Sequence, residues 1–555
     1  MKLFKKFFIQ RIKSRNSGAI NLIKDQKEEK IDEITKIFLS YNYNFENYKI
    51  SKYLCSNEIN FKLSLKSKLR NIIYQYNRFP FTNFADEIIA SFASVKYTKS
   101  FSLGMPNELI FFLKKKTNLK INRFKCLIIW KIFVLINFIK GVVYGLRHIL
   151  LSLNTLNKKK IKKNNSIYFD FTTKLDFFNE KNNDFFIVKN YLNLYKENSI
   201  ENIYLNKSYT TIIQKKIKET SSNKILDYKN KKIFYTDDIF SPITNLFKLF
   251  LFLKYIIISS VICLFNLILN RDYEAYMFME LIKNKIIELS DDDDLFSRYI
   301  FSYLGNIDRP LWTYTVEQKR RKIEIFFFST NGDGHNFKRY QPHDSSNWSQ
   351  LQFSNYLVWD KYQKAKLDEL IKNRKKDIKI IGPTLLRLEQ NFNLSINKKK
   401  NIAVFDISPR KDSLMYFAVP TIIQSKYVSK FLIDIHNLSI QNNCQMILRC
   451  KIFEKTKNPL QSLNKNYVHT VTKLKSKGMI QYDRKNSNIL EILKTSSCCI
   501  CFPYTSIAIL AQKMGIPAVY YDPSNSLQDK NFNFSHGVDV VNNFSKLSKW
   551  LSQNL

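Results

Sequence analysis

The stretch from Cys501 to Pro523, CFPYTSIAILAQKMGIPAVYYDP, contains the residues best suited to chemistry. Pro503 ends an apolar strand, and Thr505 or Ser506 can cap the helix that follows. A strand that leads into a hydroxyl-capped helix presents backbone N–H groups and the positive end of the helix dipole at the carboxyl edge of a sheet. This arrangement suits a diphosphate. Helix capping without any ligand is the alternative.

Further polar side chains follow neighbouring strands of the same half of the chain. Arg449 and Lys451 end the strand CQMILRCK and could pair with phosphate charge, although an ordinary solvated basic loop is the alternative. Asp522 ends the strand IPAVYYD and could accept hydrogen bonds from ribose hydroxyls, or simply form a turn before Pro523. Three more polar residues follow the strand NIAVFDIS at the same sheet edge: Ser408, Arg410 and Lys411.

A general base is most readily found in STNGDGHNFKRYQPHD, which follows a strand and is predicted to be a cleft loop. Asp333 and His335 are the first candidates for this role, followed by His343 and Asp344. The NGDG segment also makes a good turn, and that purely structural interpretation stays open.

The acidic run from Asp291 to Asp294 contains the Asp-x-Asp spacing of a metal-binding site. It follows the helical pattern KNKIIELS instead of ending an apolar strand, which favours a solvated junction between a helix and a loop. We therefore expect no metal and no cofactor. Helix dipole, hydroxyl groups and Arg or Lys would have to stabilise a diphosphate.

Two successive α/β units are predicted to position these residues, because strands and helices alternate from residue 161 onwards. The first unit has these strands: Ser166–Phe171, Asn202–Leu205, Lys231–Asp237, Lys322–Thr330, Asn355–Asp360 and Ile378–Pro383. The second has Asn401–Ser408, Cys444–Lys451, Met479–Asp483, Cys498–Pro503 and Ile516–Asp522, with helices around 423–441, 486–495, 505–514 and 545–553. The sequence thus predicts a helical basic region over 1–160, a Rossmann-like domain over 161–390 and a second over 391–555. The cleft between the two domains would face the carboxyl ends of their strands.

The composition describes a folded and strongly basic protein. Lys and Arg number 89 against 47 for Asp and Glu, a net charge of +42, while apolar residues make up 45%. This hydrophobicity excludes a disordered polycation. The excess of Lys, Asn, Ile, Phe and Tyr matches AT-rich codons, so genome composition is one explanation of the charge; attraction to anionic lipids, nucleotide diphosphates or nucleic acid is the other.

The eight cysteines form no spaced framework for disulfides or zinc, which indicates a reduced, cytosolic chain. Cys498, Cys499 and Cys501 lie in an apolar run without a nearby histidine. We expect them to pack inside a buried strand.

Two long apolar stretches raise the question of a membrane. The first, Cys126–Leu153, is interrupted by Lys131, Lys140 and Arg147, and we interpret it as a pair of helices lying in the membrane interface. The second, Leu249–Leu269, is long enough to cross a bilayer. A crossing there would place the strands before and after it on opposite sides of the membrane, so a monotopic or re-entrant contact is favoured, with a buried helix as the alternative.

The segment FPYTS followed by IAILAQKMGIPAVYYDP resembles the polysaccharide biosynthesis family named for its PFTS motif, with Tyr504 in place of the family's Phe. Three further segments are similar to that family: FFFSTN, NYLVWDKYQ followed by IIGP, and IAVFDISP. The resemblance covers roughly residues 320–530. It implies a bacterial enzyme of surface polysaccharide or lipopolysaccharide assembly, similar to glycosyltransferases built from two Rossmann domains (GT-B). No catalytic residue follows from the resemblance.

We therefore expect a metal-independent glycosyltransferase that moves a sugar from a nucleotide sugar to a lipid-linked or growing surface polysaccharide. In such a transferase the C-terminal domain would hold the nucleotide, with Tyr504, Thr505 and Ser506 as diphosphate contacts. The enzyme would bind an anionic membrane surface at the cytoplasmic face of the inner membrane, without a nucleic-acid partner. Transfer of a polyol phosphate from a CDP-linked donor is the first alternative. A non-catalytic RNA-binding or membrane-scaffold protein is the second.

Overall fold

A computed structural model of the chain describes residues 48–78, 104–116, 121–156, 162–170, 200–206, 226–228, 231–236, 239–303, 308–327, 329–330, 337–338, 348, 351–371, 375–383, 400–409, 424–450, 463–482, 489–528 and 532–555.

The N-terminal domain is built on an eight-stranded sheet in the order β3-β4-β2-β1-β5-β6-β7-β8. The strands are β1 (Ser166–Asp170), β2 (Asn202–Asn206), β3 (Leu226–Tyr228), β4 (Lys231–Thr236), β5 (Arg298–Tyr303), β6 (Lys322–Phe327), β7 (Asn355–Val358) and β8 (Asp377–Ile380). All pairs are parallel except that between β3 and β4, so β3 is an antiparallel edge strand. The chain winds outward in both directions from β1, which makes this a doubly wound sheet.

The C-terminal domain contains a second, fully parallel sheet of six strands in the order β11-β10-β9-β12-β13-β14. These strands are β9 (Asn401–Phe405), β10 (Gln445–Arg449), β11 (Ile480–Tyr482), β12 (Cys498–Cys501), β13 (Ala518–Tyr521) and β14 (Asp539–Val541). The strand order reverses between β9 and β12. The predicted α/β architecture of two Rossmann-like domains is therefore confirmed.

The described helices of the N-terminal half are α1 (Glu58–Arg78), α2 (Asn107–Lys116), α3 (Arg123–Leu153), α4 (Leu246–Ile268), α5 (Tyr273–Tyr276), α6 (Phe278–Leu289), α7 (Leu311–Gln318) and α8 (Lys361–Leu370). Those of the C-terminal half are α9 (Ser425–Gln441), α10 (Lys465–Ser476), α11 (Ile489–Lys494), α12 (Ser506–Lys513), α13 (Phe532–Ser535) and α14 (Phe544–Asn554). The four helices predicted for the second unit correspond to α9, α11, α12 and α14.

The strand β5 is missing from the sequence-based prediction although it lies in the middle of the sheet, between β1 and β6. It begins with Arg298, a residue type that is almost never buried without a partner. Here Arg298 is only 5% exposed, and its Nη1 lies 3.8 Å from Oε2 of Glu324 on β6. The buried ion pair thus lets a charged segment occupy a central strand.

The first long apolar stretch forms one continuous helix, so the prediction of a helix pair is wrong. Of its basic residues, Lys131 forms an ion pair with Asp272 and donates to the carbonyl of Leu267, whereas Lys140 and Arg147 point to the surface. None of them interrupts the helix, because an exposed or paired lysine is compatible with helical backbone.

The described part of residues 1–160 belongs to the body of the N-terminal domain. Side chains of α1, α2 and α3 share a single apolar cluster with residues of the sheet and of α4 to α7. The hydroxyl of Ser64 on α1 donates to the carbonyl of Arg309 at 2.9 Å, and that of Ser152 accepts from the N–H of Ile243 at 2.9 Å. The described part of the predicted helical region thus packs into the core of the N-terminal domain.

Two described helices, α3 and α4, have the length and apolar composition required to cross a membrane. The arrangement of the chain argues against a crossing by either of them. Strands β4 and β5, which flank α4, share one sheet. Helix α1 and the strand β1, on either side of α3, both belong to one domain core.

The acidic run from Asp291 to Asp294 connects α6 to β5, at the amino end of that strand. Asp291 forms an ion pair with Lys248, and Asp293 forms one with Lys162 at 3.0 Å. The run is a junction after a helix as predicted, with Asp291 and Asp292 exposed and Asp294 buried. It lies at the edge of the sheet opposite to the carboxyl ends of the strands.

Three of the four residues of β12 are cysteines, and all four are buried as predicted. Burial raises the pKa of the Cys498 thiol to about 12. The Cys498 thiol is therefore a protonated packing group.

Candidate functional site

Segments that follow strands of the two domains contact one another and mark the predicted cleft. On the N-terminal side these segments follow β6 and β7, and on the C-terminal side they follow β12 and β13. Beyond β6, Thr330 Oγ1 lies 3.2 Å from Ser506 Oγ at the start of α12. Further along, Phe337 pairs with Leu527 in an isolated antiparallel bridge. The expected position of the cleft thus agrees with the contacts between the domains.

The turn from β12 into α12 is strained. Tyr504 has a φ of +61°, in the left-handed region that a bulky residue rarely adopts. Its buried ring packs edge-on against Tyr520 with the centroids 5.5 Å apart. The hydroxyl of Tyr520 donates to the carbonyl of Thr505 at 2.8 Å. This support fixes the turn and therefore the direction in which the first N–H groups of α12 point. Strain of this kind concentrates at functional sites.

The N-terminus of α12 lacks a side-chain cap. Thr505 occupies the N-cap position, but its hydroxyl makes no capping hydrogen bond. Its Oγ1 is buried and has no hydrogen-bond partner among the described residues. The first-turn N–H groups of a helix have no partner within the helix. The turn therefore combines backbone donors and a hydroxyl group suited to an anion, at a sheet edge that faces the other domain.

Asp522 forms a turn, the alternative given above to a contact with ribose hydroxyls. Its carboxylate is fully buried and accepts hydrogen bonds from the backbone N–H groups of Ser524, Ser526 and Leu527, each at 2.8 Å, and from the Ser524 hydroxyl. All these donors belong to its own loop. Asp522 thus forms the turn, and it shapes the loop that meets Phe337.

Ser408 is likewise committed to an internal network. It is 1% exposed, and its hydroxyl lies 3.2 Å from Oδ1 of Asp406 and 3.3 Å from the hydroxyl of Tyr467, which also donates to Asp406. Burial, followed by the charge of Asp406, raises the pKa of Tyr467 well above its usual value. The network fixes the loop after β9, which favours a positioning role for Ser408 over direct contact with phosphate.

Arg449 ends β10 and is half-buried at the same edge of the sheet as the start of α12. The remaining predicted contacts lie outside the described residues: Lys451, Arg410 and Lys411. The candidates for the general base also lie outside them: Asp333, His335, His343 and Asp344.

The chain on either side of Asp333 and His335 is described and contacts the C-terminal domain at both ends. Thr330 meets Ser506, and the N–H of Lys338 donates to the carbonyl of Ser526 at 2.8 Å. The segment that contains the two candidates thus leaves and re-enters the described chain at the cleft.

A further contact between the domains, between Asp360 and His536, was not predicted from the sequence. Asp360 caps α8 by accepting from the N–H of Gln363 at 2.9 Å, and its other oxygen lies 2.8 Å from Nδ1 of His536. Burial raises the pKa of Asp360, but the hydrogen bond and charge of His536 outweigh this and hold the pKa below its usual value. Next to His536, an added Cβ on Gly537 would lie only 2.9 Å from the hydroxyl of Tyr362. The sequence gives one indication of this contact: Asp360 lies at the end of a predicted strand and at the start of a helix.

Among the described residues, no group of three or more His, Cys, Asp or Glu side chains is placed to hold a metal ion.

The family model of the polysaccharide biosynthesis PFTS motif protein matches residues 252–551, more than half of the chain and a wider range than the motifs alone suggested. No curated protein matches the sequence.

Several solved structures are similar over most of their length. UGT89C1 of Arabidopsis thaliana, complexed with UDP-L-rhamnose, is 10% identical, with coverage of 72% of this chain and 91% of that one and a TM-score of 0.35. The UDP-GlcNAc 2-epimerase of Methanocaldococcus jannaschii is 9% identical (70% and 91% covered, TM-score 0.36). MurG of Acinetobacter baumannii is 9% identical (70% and 92% covered, TM-score 0.31). Because sequence identity and TM-score are this low, we define the architecture by the strand order of this chain and not by its similarity to these structures.

Two doubly wound domains meet at a cleft, and the strained turn FPYTS starts the helix that faces it. The motif that carried the resemblance therefore lies at the centre of the candidate site. With the match to residues 252–551, the chain belongs to the polysaccharide biosynthesis PFTS motif family.

Proposed function

We propose that the protein is a glycosyltransferase that uses a nucleotide sugar as donor and a lipid-linked or growing surface polysaccharide as acceptor. The observation that carries this proposal is the uncapped N-terminus of α12 at the cleft, with the hydroxyl of Thr505 left without a hydrogen-bond partner among the described residues. Membership of a polysaccharide biosynthesis family supports the same reaction class.

In the proposed reaction, an acceptor hydroxyl attacks the anomeric carbon of the donor sugar and loses its proton to a base. The new C–O bond forms as the bond from the sugar to the diphosphate breaks, and the nucleoside diphosphate leaves with the bonding electron pair. Charge that develops on a leaving group is stabilised best by preorganised donors. The N–H groups of Ser506 and Ile507, the hydroxyl of Thr505 and the guanidinium of Arg449 would supply these donors.

The base would come from the other wall of the cleft. Asp333 and His335 remain our candidates, because the described chain on both sides of them contacts the C-terminal domain near α12 and the loop after β13. A carboxylate or an imidazole there would accept the acceptor proton while the opposite wall holds the diphosphate.

The decisive experiment measures nucleotide affinity in two N-cap variants of the same domain. Thr505→Ala removes a hydroxyl that caps nothing, so we expect little change in stability. The variant would lose the hydrogen bond from this hydroxyl to the charged diphosphate, which is worth about 1.5–3 kcal/mol. We therefore expect it to bind the nucleotide with a Kd about ten- to a hundredfold weaker. Asn543→Ala is the control, because Asn543 caps α14 by accepting from the N–H of Lys546 at 2.8 Å. We expect this variant to lose about 1 kcal/mol of stability and to keep its nucleotide affinity.

The ligands for this test are UDP, GDP, CDP and dTDP, each free or carrying a sugar, with single-stranded RNA beside them. A ligand at about a hundred times its Kd adds about 2.7 kcal/mol to the free energy of unfolding, which a thermal shift detects. An unchanged Kd in Thr505→Ala would contradict the proposed site. A thermal shift that occurs with RNA alone and disappears at high salt would contradict the proposal that the protein is a glycosyltransferase. Product mass then separates transfer of a sugar from transfer of a polyol phosphate.

A further inference from the structure

Most of the large apolar side chains that are exposed in the described chain lie on two helices, α3 and α4. We define the α3–α4 face by these residues: Phe124, Ile128, Ile132, Phe133, Leu135, Ile136, Ile139, Val143, Leu146, Leu150, Leu151 and Leu153 on α3, and Leu246, Phe247, Phe250, Leu253, Ile257, Val261, Leu264, Phe265 and Ile268 on α4. We propose that this face docks the protein onto an anionic lipid bilayer, with both helices lying in the plane of the membrane surface.

The two helices run side by side in opposite directions, so their exposed sides form one continuous surface. Near one end, Lys131 of α3 donates to the carbonyl of Leu267 of α4. Towards the other end, the ring of His148 lies edge-on to Phe252 with the centroids 5.7 Å apart. Helix α3 has 31 residues and is therefore about 46 Å long, which exceeds the diameter of a small domain.

Each helix keeps its opposite side on the protein over most of its length. The buried residues of α3 recur every three or four positions from Cys126 to Ser152, and those of α4 lie on one side of the helix from Leu249 to Cys263. A helix held in this way cannot leave the domain to cross a bilayer without exposing that side. The geometry therefore favours binding in the plane, as amphipathic interfacial helices do.

The charges on the same surface have a single sign. Neither helix contains an Asp or Glu, whereas Lys140, Arg147 and Lys254 are exposed among the apolar residues. Long basic side chains can bury their stems in the apolar layer and place their charges among lipid headgroups. A second copy of the chain on this face would bring these cations together, which opposes a symmetric dimer. An anionic bilayer offers an apolar layer to the exposed apolar side chains and negative headgroups to the cations.

The test is flotation of the purified protein with vesicles of phosphatidylethanolamine and phosphatidylglycerol, compared with vesicles of phosphatidylcholine. The first variant replaces Phe250, Ile257 and Val261 together by Ser. The matched control replaces Ile433 and Ile440 by Ser, because these residues are exposed apolar side chains of a helix in the other domain (41% and 60% exposed). We expect the first variant to partition at least tenfold more weakly and the control to float as the wild type does.

A second variant tests the charges without touching the apolar side chains. Lys140, Arg147 and Lys254 replaced by Gln should weaken partitioning to the anionic vesicles about fivefold for each cation, and should leave partitioning to phosphatidylcholine unchanged. Unfolding temperature and nucleotide binding, measured on every variant, verify the fold and keep this proposal separate from that for the cleft.

Equal flotation of the apolar variant and the wild type would overturn the inference, as would a wild type that floats with neither vesicle. The wild type could also stay in the aqueous fraction as a dimer that the apolar variant does not form. The face would then be a subunit interface, which would also overturn the inference.

Discussion

A single methyl group on α3 can test whether this helix lies on the domain. At Gly141, an added Cβ would come within 2.8 Å of the backbone nitrogen and 3.1 Å of the Cα of Met279 on α6. Backbone atoms of a packed helix cannot move aside alone, so we assign Gly141→Ala about 2–3 kcal/mol of overpacking, the upper part of the usual range. Replacing a helical Gly by Ala contributes about 1 kcal/mol of helix propensity in the opposite direction. The net effect is about 1–2 kcal/mol of destabilisation.

Gly145→Ala is the matched control one turn further along. Its added Cβ would lie 2.8 Å from Cδ1 of Ile256, the flexible end of a side chain that can rotate away. The overpacking is then about 1 kcal/mol, which the gain in helix propensity offsets, so we expect a free energy of unfolding close to that of the wild type.

The assay is urea unfolding followed by tryptophan fluorescence, because four of the five tryptophans precede residue 390 and report on the N-terminal domain. The expected result is a gap of about 1–2 kcal/mol between the two variants. If both substitutions stabilise the protein by about 1 kcal/mol, α3 does not pack on α6. Helix α3 would then not be held on the domain, which would refute the proposal for the α3–α4 face.

Two further changes have definite expected outcomes. Glu324→Leu leaves Arg298 buried without this counter-charge, so we expect the free energy of unfolding in urea to fall by about 3–5 kcal/mol. The double variant with Arg298→Met should recover most of this loss. A single variant as stable as the wild type would contradict the buried pair. Asp360→Asn should destabilise the protein at neutral pH, because the pKa of the Asp360 carboxyl is lowered in the folded state. Such a carboxyl contributes stability above its unfolded pKa of about 3.9, and this contribution is lost as the pH falls through the folded pKa. The difference in unfolding midpoint between the wild type and Asp360→Asn should therefore shrink as the pH falls below about 4, and a constant difference would exclude the contact with His536 as its source.

Local pattern was sufficient to predict the two doubly wound domains because buried parallel strands form short continuous apolar runs. CCIC and AVYY show this pattern, and both are interior strands of the second sheet. The strand β5 was missed for the opposite reason. Its Arg298 is neutralised by Glu324, a residue on another strand that no local window contains.

The candidate site was predictable only where one segment carries it. The turn from Tyr504 to Ser506 is contiguous in sequence, and strand, hydroxyl and helix follow one another. The roles of Ser408 and Asp522 depend on where their partners fold, and the sequence cannot show whether a hydroxyl or carboxylate faces a ligand or its own loop. The contact between Asp360 and His536 joins residues 176 positions apart, which no spacing rule could detect.

The position of β5 also has a consequence for how the chain folds as it is synthesised. Strand β1 pairs with β5 across about 130 residues, and α4 leaves the ribosome before β5 does. At about 5–20 residues per second, the roughly 35 residues between the end of α4 and the end of β5 take about 2–7 s. During that interval the open edge of β1 and the side of α4 that the finished domain buries are not fully covered, which favours aggregation. We therefore expect the yield of native protein to depend on chaperones or on a nearby lipid surface during translation, independently of the stability of the finished fold.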